Sequence, residues 1–367
     1  MNVFAAHKPI QNRRHPVGFS LRIVALAAVL GLIWGPVFAA DDEHGDDGDD
    51  GYKRAFCTKT AKAALRACRN EIRDDFWIAF GNCINVSKRV ERRACKDEAR
   101  TERLDGKEFC KEQFDARLEL CDLLGEKRYD PDFDPINFDP HLTTPNPYFP
   151  LNVGDKWVYK GGDETITVEV LDKTKLIAGV TCRVVNDLVE EDGDVIEDTD
   201  DWYAQAWDST VWYCGEIAKN FEVFDDDVPR EAELVDIEGS WKAGRDGAKP
   251  GIIMKADPQP GNVYRQEVAL GDAEDAAEVL SIAYSFGGET DDPESLDYLV
   301  PQELAEAVCN HDCLVTREFT PLEPDVEERK YYAPGIGLFL EVDLEAGETV
   351  HLVECTVNAV PCPIPTP

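Results

Sequence analysis

Cys57-Thr-Lys-Thr-Ala-Lys-Ala-Ala-Leu-Arg-Ala-Cys68 and Cys110-Lys-Glu-Gln-Phe-Asp-Ala-Arg-Leu-Glu-Leu-Cys121 constrain the first third of the chain more than any other segments. In each segment the two cysteines stand eleven residues apart, which rotates them by only about 20° around an α-helix. They cannot bond each other, because three helical turns separate their Cα atoms by about 16 Å and a disulfide needs less than about 7 Å. Each segment therefore predicts a helix bridged to a facing helix.

Residues 52–128 form a cysteine-rich module with abundant Ala, Arg, Lys, Glu and Leu, which are good helix formers. We expect two or three antiparallel helices, interrupted at Gly81-Asn82 and Asp105-Gly106, with Ser87 as an N-cap. Six cysteines allow fifteen pairings. The near mirror symmetry of their spacing favours the nested set, and the other pairings stay open. The nested set is Cys57–Cys121, Cys68–Cys110 and Cys83–Cys95.

Three aromatic residues interrupt the charged pattern of the first predicted helix. Phe76, Trp77 and Phe80 follow a spacing that places them on one stripe. We expect this stripe to plug the core of the module, with a ligand platform as the alternative.

Residues 1–39 have the order of a secretory signal peptide. Arg13, Arg14 and Arg22 precede an apolar run that ends in small residues, and the pattern favours cleavage after Ala39. The run is too short to span a bilayer comfortably, so we expect no stable membrane insertion after cleavage. General secretion is favoured over a twin-arginine route, because His15 and Pro16 follow the arginine pair. The sequence therefore predicts a secreted or periplasmic protein.

All twelve cysteines lie beyond the expected cleavage point, and an even number in an oxidising compartment predicts structural disulfides. A redox or zinc site is the alternative, although no Cys-x-x-Cys occurs. The segment that comes nearest to such a site is Cys309-Asn-His-Asp-Cys313, for which a disulfide that closes a loop, here called a loop staple, is favoured. We expect no metal and no cofactor. The six cysteines outside the helical module are Cys182, Cys214, Cys309, Cys313, Cys355 and Cys362.

The charge of the chain is divided between segments. The formal net charge is −36, and seven of the ten residues at 41–50 are acidic, so residues 40–51 are interpreted as a disordered tether. Residues 51–128 carry 19 basic and 14 acidic side chains, whereas the rest of the mature chain is strongly acidic. This composition excludes both nucleic acid and an anionic bilayer as partners held by general electrostatic attraction. The basic segment is expected to dock on its acidic neighbour or on an anionic surface.

Residues 129–150 are rich in aspartate and proline, which predicts an extended linker. Asp130, Asp132 and Asp134 alternate as in the opening of a calcium loop. Pro135 occupies the position where that loop requires glycine, and the glutamate of the twelfth position is missing. A solvated linker is therefore favoured over a calcium site.

Residues 151–356 predict a β-rich module, followed by a C-terminal tail at 357–367. Two β-rich runs, Thr181–Glu190 and Val195–Tyr203, flank Asp192-Gly193, which is a strong hairpin signal. Long helical periods are absent between the runs, so the sheet should be mainly antiparallel. The expected fold class is α+β, in which a disulfide-clamped helical hairpin or bundle precedes a curved sheet, partial barrel or sandwich. Further strands are expected at 157–160, 165–171, 211–214, 263–270, 314–320, 327–332, 338–342 and 349–354.

Six motifs in the β-rich region resemble those of a family of secreted bacterial proteins without an established activity. The resemblance covers about residues 140–355 and implies export and a β-rich module, with no catalytic residue to carry over. Cys214 stands where the family more often has an aromatic residue, which implies local pairing, with Cys182 as a reasonable partner. The motifs are Asn146-Pro-Tyr-Phe-Pro-Leu-Asn-Val-Gly-Asp-Lys-Trp-Val-Tyr159, Asp201-Trp-Tyr-Ala-Gln205, Val211-Trp-Tyr-Cys-Gly-Glu216, Gly239-Ser-Trp-Lys-Ala-Gly-Arg-Asp-Gly-Ala-Lys-Pro-Gly-Ile-Ile-Met254, Tyr264-Arg-Gln-Glu267 and Lys330-Tyr-Tyr-Ala-Pro-Gly-Ile-Gly-Leu338.

The segment 239–254 is the best candidate for a functional surface. Its glycines allow the backbone to approach a ligand closely, and large apolar residues flank them. A structural Ω-loop is the alternative. Trp202 and Trp212, on adjacent predicted strands, either line a pocket or build the core. The candidate ligand-binding residues are Trp202, Trp212, Trp241, Gly244, Gly247 and Met254.

Catalytic motifs such as Gly-x-Ser-x-Gly and His-Glu-x-x-His do not occur in the sequence. The leading hypothesis is therefore a secreted, non-enzymatic binding or structural protein. Its β module would bind an envelope or extracellular partner, or a small apolar ligand. Two alternatives remain: an extracellular hydrolase that uses paired carboxylates, and a calcium-dependent assembly protein.

Overall fold

The computed structural model describes residues 55–224 and 226–365. The signal peptide predicted at 1–39 and the acidic tether predicted at 40–51 lie outside the described residues. The described chain contains a helical hairpin followed by a large antiparallel sheet, which confirms the α+β class. All twelve cysteines form six disulfides, which indicates an oxidising extracellular or periplasmic environment.

Two long helices, α1 (Phe56–Asn85) and α2 (Arg89–Leu124), form the hairpin. The three disulfides between them are the nested set favoured by the spacing, and they bond Cys57 to Cys121, Cys68 to Cys110 and Cys83 to Cys95. This arrangement follows from the eleven-residue spacing, which holds the bridged cysteines on the facing sides of both helices.

The predicted interruptions of the helices are wrong. Gly81-Asn82 lies within α1 and Asp105-Gly106 lies within α2. A glycine costs a helix only about 1 kcal/mol, which the cross-linked packing of two long helices outweighs. At Gly106 the missing side chain has a packing role, because a Cβ there would clash with the side chain of Ile72.

Ser87 is not the N-cap of α2, which begins at Arg89 with Lys88 in the capping position. The Arg92 guanidinium instead donates a hydrogen bond of 2.7 Å to the Val86 carbonyl and closes the turn.

The remaining chain forms one 15-stranded antiparallel sheet and a short helix, α3 (Gln302–Val308). The main path runs in the order β6-β5-β4-β3-β2-β1-β14-β13-β12-β11-β10-β9, while β7 and β8 pair with β5 and β15 pairs with β14. The sheet is curved and does not close. Its strands are β1 (Lys156–Gly161), β2 (Glu164–Ile177), β3 (Val180–Glu191), β4 (Asp194–Gln205), β5 (Val211–Val223), β6 (Ala232–Asp236), β7 (Trp241–Lys242), β8 (Gly251–Met254), β9 (Val263–Arg265), β10 (Ala276–Tyr284), β11 (Cys313–Thr320), β12 (Glu323–Ala333), β13 (Gly337–Asp343), β14 (Glu348–Val357) and β15 (Val360–Pro361).

One predicted hairpin is confirmed, and one predicted strand is wrong. Asp192 and Gly193 both have positive φ, as a two-residue β-hairpin turn requires, and they join β3 to β4. The strand expected at 263–270 ends at Arg265 instead. There the backbone N–H groups of Gln266 and Glu267 both donate to the Asp275 carbonyl, so the ladder is interrupted by a bulge. The strand β10 was not predicted.

The aspartate- and proline-rich segment 129–150 packs against the sheet, which differs from the extended, solvated linker interpretation. Phe138 and Phe149 are buried in the core of the β module. The buried Asn146 amide donates to the carbonyls of Ser209 and Lys255 at 2.9 and 3.0 Å. The prolines exclude regular structure here, whereas the aromatic residues between them supply enough apolar surface to anchor the segment.

A buried ion pair attaches the hairpin to the sheet. Arg117 on α2 makes a bidentate contact with the Glu274 carboxylate, with nitrogen–oxygen distances of 2.9 and 2.6 Å, and both side chains are almost fully buried. Gln113 donates to the Leu322 carbonyl at 2.9 Å, and the Tyr129 hydroxyl donates to the Pro250 carbonyl at 2.9 Å. The basic helical module thus contacts its acidic neighbour directly. Among the described residues, no helix is both long and apolar enough to cross a membrane.

Replacement of Arg117 by methionine should destabilise the attachment of the hairpin by about 3–5 kcal/mol, because the buried Glu274 carboxylate loses its counter-ion. Denaturant unfolding with the disulfides intact, together with amide exchange at the interface, measures the change. The double variant Arg117→Met/Glu274→Gln should recover much of the loss. Lys111→Met, which breaks the exposed Lys111–Asp115 pair, is the control and should cause no measurable change. Equal stability of Arg117→Met and Lys111→Met would contradict the role assigned to the pair.

Candidate functional site

The interior of the curved sheet is polar at its centre. Buried ionisable side chains come from two sets of strands that lie far apart in the strand order. Because the sheet curves, both sets contribute to one buried network, in which the carboxylates raise each other's pKa. The first set is Asp187 on β3, Asp201 on β4 and Glu216 on β5, and the second is Glu318 on β11, Glu328 and Lys330 on β12 and Glu341 on β13.

Lys330 is the cation at the centre of the second set. Its ammonium group lies 3.2 Å from a Glu318 oxygen, 3.4 Å from Glu328 and 3.3 Å from Glu341, and its side chain is 2 % exposed. The Tyr332 hydroxyl also donates to Glu318, at 3.0 Å. A lysine ammonium carries three protons, and three carboxylates lie within 3.4 Å of it, although the nearest Glu341 oxygen makes no hydrogen bond. The contacts therefore hold three adjacent strands together through one buried charge.

A tyrosine joins the two carboxyl groups of the first set. The Tyr213 hydroxyl contacts both Asp201 and Glu216, the latter at 2.7 Å. A phenol has one proton to donate, so the second contact requires a proton on a carboxyl group. Burial raises the pKa of Asp201 to about 7 and raises the pKa of Glu216 well above its ordinary value. Both shifts are consistent with a carboxyl group of this pair that holds its proton at neutral pH.

The pKa values of three other carboxyl groups in the network are also raised. Burial raises the pKa of Glu328 to about 7, and it raises the pKa of Asp187 and Glu341 well above their ordinary values, with nearby carboxylates adding to the shift. One oxygen of the Asp187 carboxyl has no hydrogen-bond partner. The positive charge of Lys330 cannot balance so many carboxylates, so protons supply the remaining neutralisation.

A small cavity is lined by members of both sets. Its volume is about 50 Å³, which is room for about three or four water molecules. Ligand sites usually measure about 300–1,000 Å³. In this conformation the carboxylates therefore offer no space for a sugar ring or a similar substrate. The residues that face the cavity include Glu216, Glu267, Glu318, Glu328 and Lys330.

A second concavity, the tryptophan cleft, is large enough for a ligand. It lies on the surface, measures about 450 Å³, and is lined by Trp207, Trp212, Ile252, Asp132 and Asp208 together with Asn137, Ala206 and Thr210. The cleft lies where the β4–β5 turn and β8 meet the anchored segment 129–150. Its lining combines aromatic and aliphatic side chains with two carboxylates.

Trp207 is held in place although its side chain is exposed. Its indole N–H donates to the Ile136 carbonyl at 3.0 Å, and its backbone N–H donates to the Asn137 carbonyl at 3.0 Å. The residue nevertheless remains 57 % exposed. Trp212 packs edge-on against Phe138, with ring centroids 6.2 Å apart, and is half-buried. The cleft therefore presents two indoles in fixed positions before any ligand arrives.

The structure does not bring the six predicted ligand-binding residues together. Trp212 lies in the tryptophan cleft, and Met254 is fully buried where β8 pairs with β5. Trp241 is buried, with its ring edge-on to Tyr213 at 5.3 Å between centroids.

The remaining predicted residues lie elsewhere. Trp202 is buried and is covered by the Lys175 ammonium group at 3.3 Å from the ring centre. Gly244 and Gly247 both have positive φ in an exposed turn between β7 and β8, closed by a hydrogen bond from the Gly244 N–H to the Ala248 carbonyl.

The sequence interpretation missed Trp207, Asp208 and Lys330 as site residues. Trp207 and Asp208 lie in a turn, where a large apolar residue next to turn-forming residues was the available signal. Lys330 lies between Glu328 and Tyr332 in a strand, and this alternation of polar residues on one face signals a polar interior.

The three aspartates of the calcium-loop alternative lie in three separate environments. Asp130 forms an ion pair with Lys249 at 2.6 Å, Asp132 lines the tryptophan cleft, and Asp134 accepts a hydrogen bond from the Ile136 N–H. Among residues 55–224 and 226–365, no group of three or more His, Cys, Asp or Glu side chains is arranged to hold a metal ion. Cys309 and Cys313 form a disulfide with each other, which agrees with the predicted loop staple and not with the alternative zinc site.

Comparison of the chain with protein-family models, with curated proteins and with solved structures gives no match. The resemblance to a secreted bacterial family therefore stays a prediction from the motifs.

The contribution of Asp201 to the free energy of unfolding should fall on the order of 3 kcal/mol as the pH rises from about 5 to about 8. The pKa of Asp201 is raised to about 7 in the folded chain, where Asp187, Glu197, Tyr213 and Glu216 surround it. At the lower end of this window the folded state therefore keeps a proton that the unfolded chain has released, so stability is present at low pH and lost on deprotonation. Urea unfolding of the oxidised protein at pH 5 and pH 8 measures the fall.

The Asp201→Asn variant should show a smaller fall between pH 5 and pH 8, because it cannot lose this proton. Asp246→Asn is the matched control, since Asp246 lies in an exposed turn with positive φ, which asparagine tolerates. The control should keep the full dependence. An identical fall in both variants would contradict the assignment.

Proposed function

We propose that this chain is a secreted, non-enzymatic binding protein whose β module takes a small organic cation with an apolar body in the tryptophan cleft. The observation that carries the proposal is Trp207, whose indole N–H and backbone N–H each donate a hydrogen bond, and whose side chain is nevertheless exposed at a cleft of about 450 Å³. An exposed aromatic ring that is already ordered loses little conformational entropy when a ligand covers it.

The chemistry of the cleft favours a positive charge over a purely apolar ligand. Indole faces attract ammonium groups through the ring quadrupole, with tryptophan the best of the aromatic side chains. Asp132 and Asp208 add carboxylates to the lining of the same cleft. The net charge of −36 adds a field that draws cations toward the protein. Ile252 supplies apolar contact for the body of the ligand.

The alternative hydrolase function has less support. Its paired carboxylates would be those around the small cavity, whose volume of about 50 Å³ is far below that of ordinary ligand sites. Calcium-dependent assembly through Asp130, Asp132 and Asp134 is likewise disfavoured, because these residues are engaged separately.

Export through the signal peptide at 1–39 is part of the same proposal. The six disulfides support it, because such bonds form and persist in oxidising compartments. The small cation would then be met outside the cytoplasm.

Choline and tetraethylammonium should bind the oxidised protein and change its tryptophan fluorescence. Trp207→Ala should weaken binding by about 3- to 30-fold, which is the range that cation–π contacts supply. Asp208→Asn should weaken binding mainly at low salt. Trp77→Ala is the matched control, because Trp77 is equally exposed but lies on the hairpin. The neutral isostere 3,3-dimethyl-1-butanol should bind more weakly than choline. Unchanged affinity in Trp207→Ala, or equal binding of the alcohol, would refute the proposal.

The exported protein should begin at Ala40. N-terminal sequencing and intact mass of protein recovered from outside the cytoplasm, without reductant, measure the mature end and the six disulfides. Recovery of the chain with Met1 in place and free thiols would contradict export.

A further inference from the structure

The end of the helical hairpin farthest from its terminal disulfide carries a cluster of exposed apolar side chains. We call residues 76–96 the hairpin tip; they comprise the last turns of α1, the connecting turn and the first turns of α2. Within it, Trp77 is 57 % exposed, Ile78 50 %, Ile84 57 % and Val90 81 %. Four large apolar side chains are therefore exposed within 14 residues of sequence, and exposed apolar surface rimmed by polar residues marks interaction sites.

The charge of the hairpin tip is opposite to that of the whole protein. It holds five basic side chains and one acidic one, whereas the chain carries a net charge of −36. Arg89 and Arg93 are exposed beside Val90, and Arg93 contacts its acidic neighbour Asp97 at no closer than 3.9 Å. The basic residues are Lys88, Arg89, Arg92, Arg93 and Lys96, and the acidic one is Glu91.

Several contacts keep the hairpin tip rigid. The Cys83–Cys95 disulfide clamps the two helices at this end, and the Arg92 guanidinium closes the turn on the Val86 carbonyl. Phe76 and Phe80 pack together at 5.7 Å between ring centroids, with the Lys96 ammonium group 4.6 Å from the centre of the Phe80 ring. The apolar side chains at the surface are therefore held exposed by the fold and cannot collapse into a core.

The basic residues of the hairpin tip lie beyond the stretch of the hairpin that meets the acidic sheet. That stretch extends along α1 to Glu71, whose pKa is raised by burial and also by Asp75, Glu238 and Asp272. The 14 residues of helix from Glu71 to Asn85 span about 21 Å. Arg117 anchors α2 to Glu274, and 24 residues of continuous helix separate Arg117 from Arg93, a length of about 36 Å. The Debye length at physiological salt is only about 8 Å. Charges on the sheet near this anchor are therefore largely screened at the hairpin tip, which interacts with its surroundings as a basic surface.

We propose that the hairpin tip docks on an anionic lipid surface. Exposed tryptophan and isoleucine side chains partition into the interfacial region of a bilayer, and adjacent lysine and arginine side chains are attracted to anionic headgroups. The hairpin tip combines both elements, and its charge is complementary to the headgroups. Docking is peripheral and reversible, and it tethers the β module to the membrane. This inference is independent of the ligand proposed for the cleft.

The test uses the full secreted chain with intact disulfides and vesicles that contain 30 % phosphatidylglycerol in phosphatidylcholine, in a sedimentation assay. Binding is expected at 0.05 M salt, reduced at 0.5 M salt and absent on pure phosphatidylcholine. Arg89→Glu/Arg93→Glu should weaken binding at least tenfold, because each basic side chain near an anionic surface contributes several-fold. Trp77→Ser should weaken binding without removing its salt dependence. Lys62→Glu/Arg66→Glu, farther along α1, is the control with the same change in net charge and should keep most of the binding.

Three outcomes would overturn the inference. The first is equal binding to both kinds of vesicle, and the second is equal loss in the two charge-reversal variants. The third is salt-sensitive self-association in solution that Arg89→Glu/Arg93→Glu abolishes while vesicle binding is absent, which would assign the hairpin tip to the acidic sheet of a second copy. Circular dichroism of each variant confirms that the hairpin is intact.

Discussion

The buried ammonium group of Lys330 is the contact on which the centre of the sheet depends. It lies within 3.4 Å of carboxylate oxygens from Glu318, Glu328 and Glu341, and so links β11, β12 and β13. Without it, three carboxylates would lie together in a region of low dielectric, where like charges repel strongly. A curved sheet with an acidic interior can therefore form only around this cation and a supply of protons.

Protons neutralise carboxyl groups of the first set, as the ammonium group of Lys330 does in the second set. The Tyr213 hydroxyl lies between Asp201 and Glu216, whose pKa values are both raised by burial. The network is thus neutralised partly by the fixed charge of Lys330 and partly by protons on carboxyl groups of both sets of strands. Such buried polar networks specify one arrangement of strands, because every other pairing leaves a charge without its partner.

The sequence was most informative where the constraint was local. The spacing of Cys57, Cys68, Cys110 and Cys121 predicted the bridged helices, and Asp192-Gly193 predicted a hairpin, because both depend on neighbouring backbone geometry. The buried carboxylates were not predictable individually, since the chain holds 74 acidic residues and only the three-dimensional pairing distinguishes them. The tryptophan cleft depends on a proline-rich segment that packs against the sheet, and long-range packing of this kind has no periodic signal.

The nested order of the hairpin disulfides has a consequence for proteolysis. The turn at 86–88 lies inside all three covalent rings, because Cys83–Cys95 is enclosed by Cys68–Cys110, and that bond in turn by Cys57–Cys121. Cleavage of a peptide bond in this turn leaves the two fragments of the chain joined by three disulfides. A nicked molecule would therefore keep its mass, apart from one added water, until a reductant released the fragments. The hairpin can therefore be cleaved at the exposed turn and still remain a single, disulfide-linked molecule.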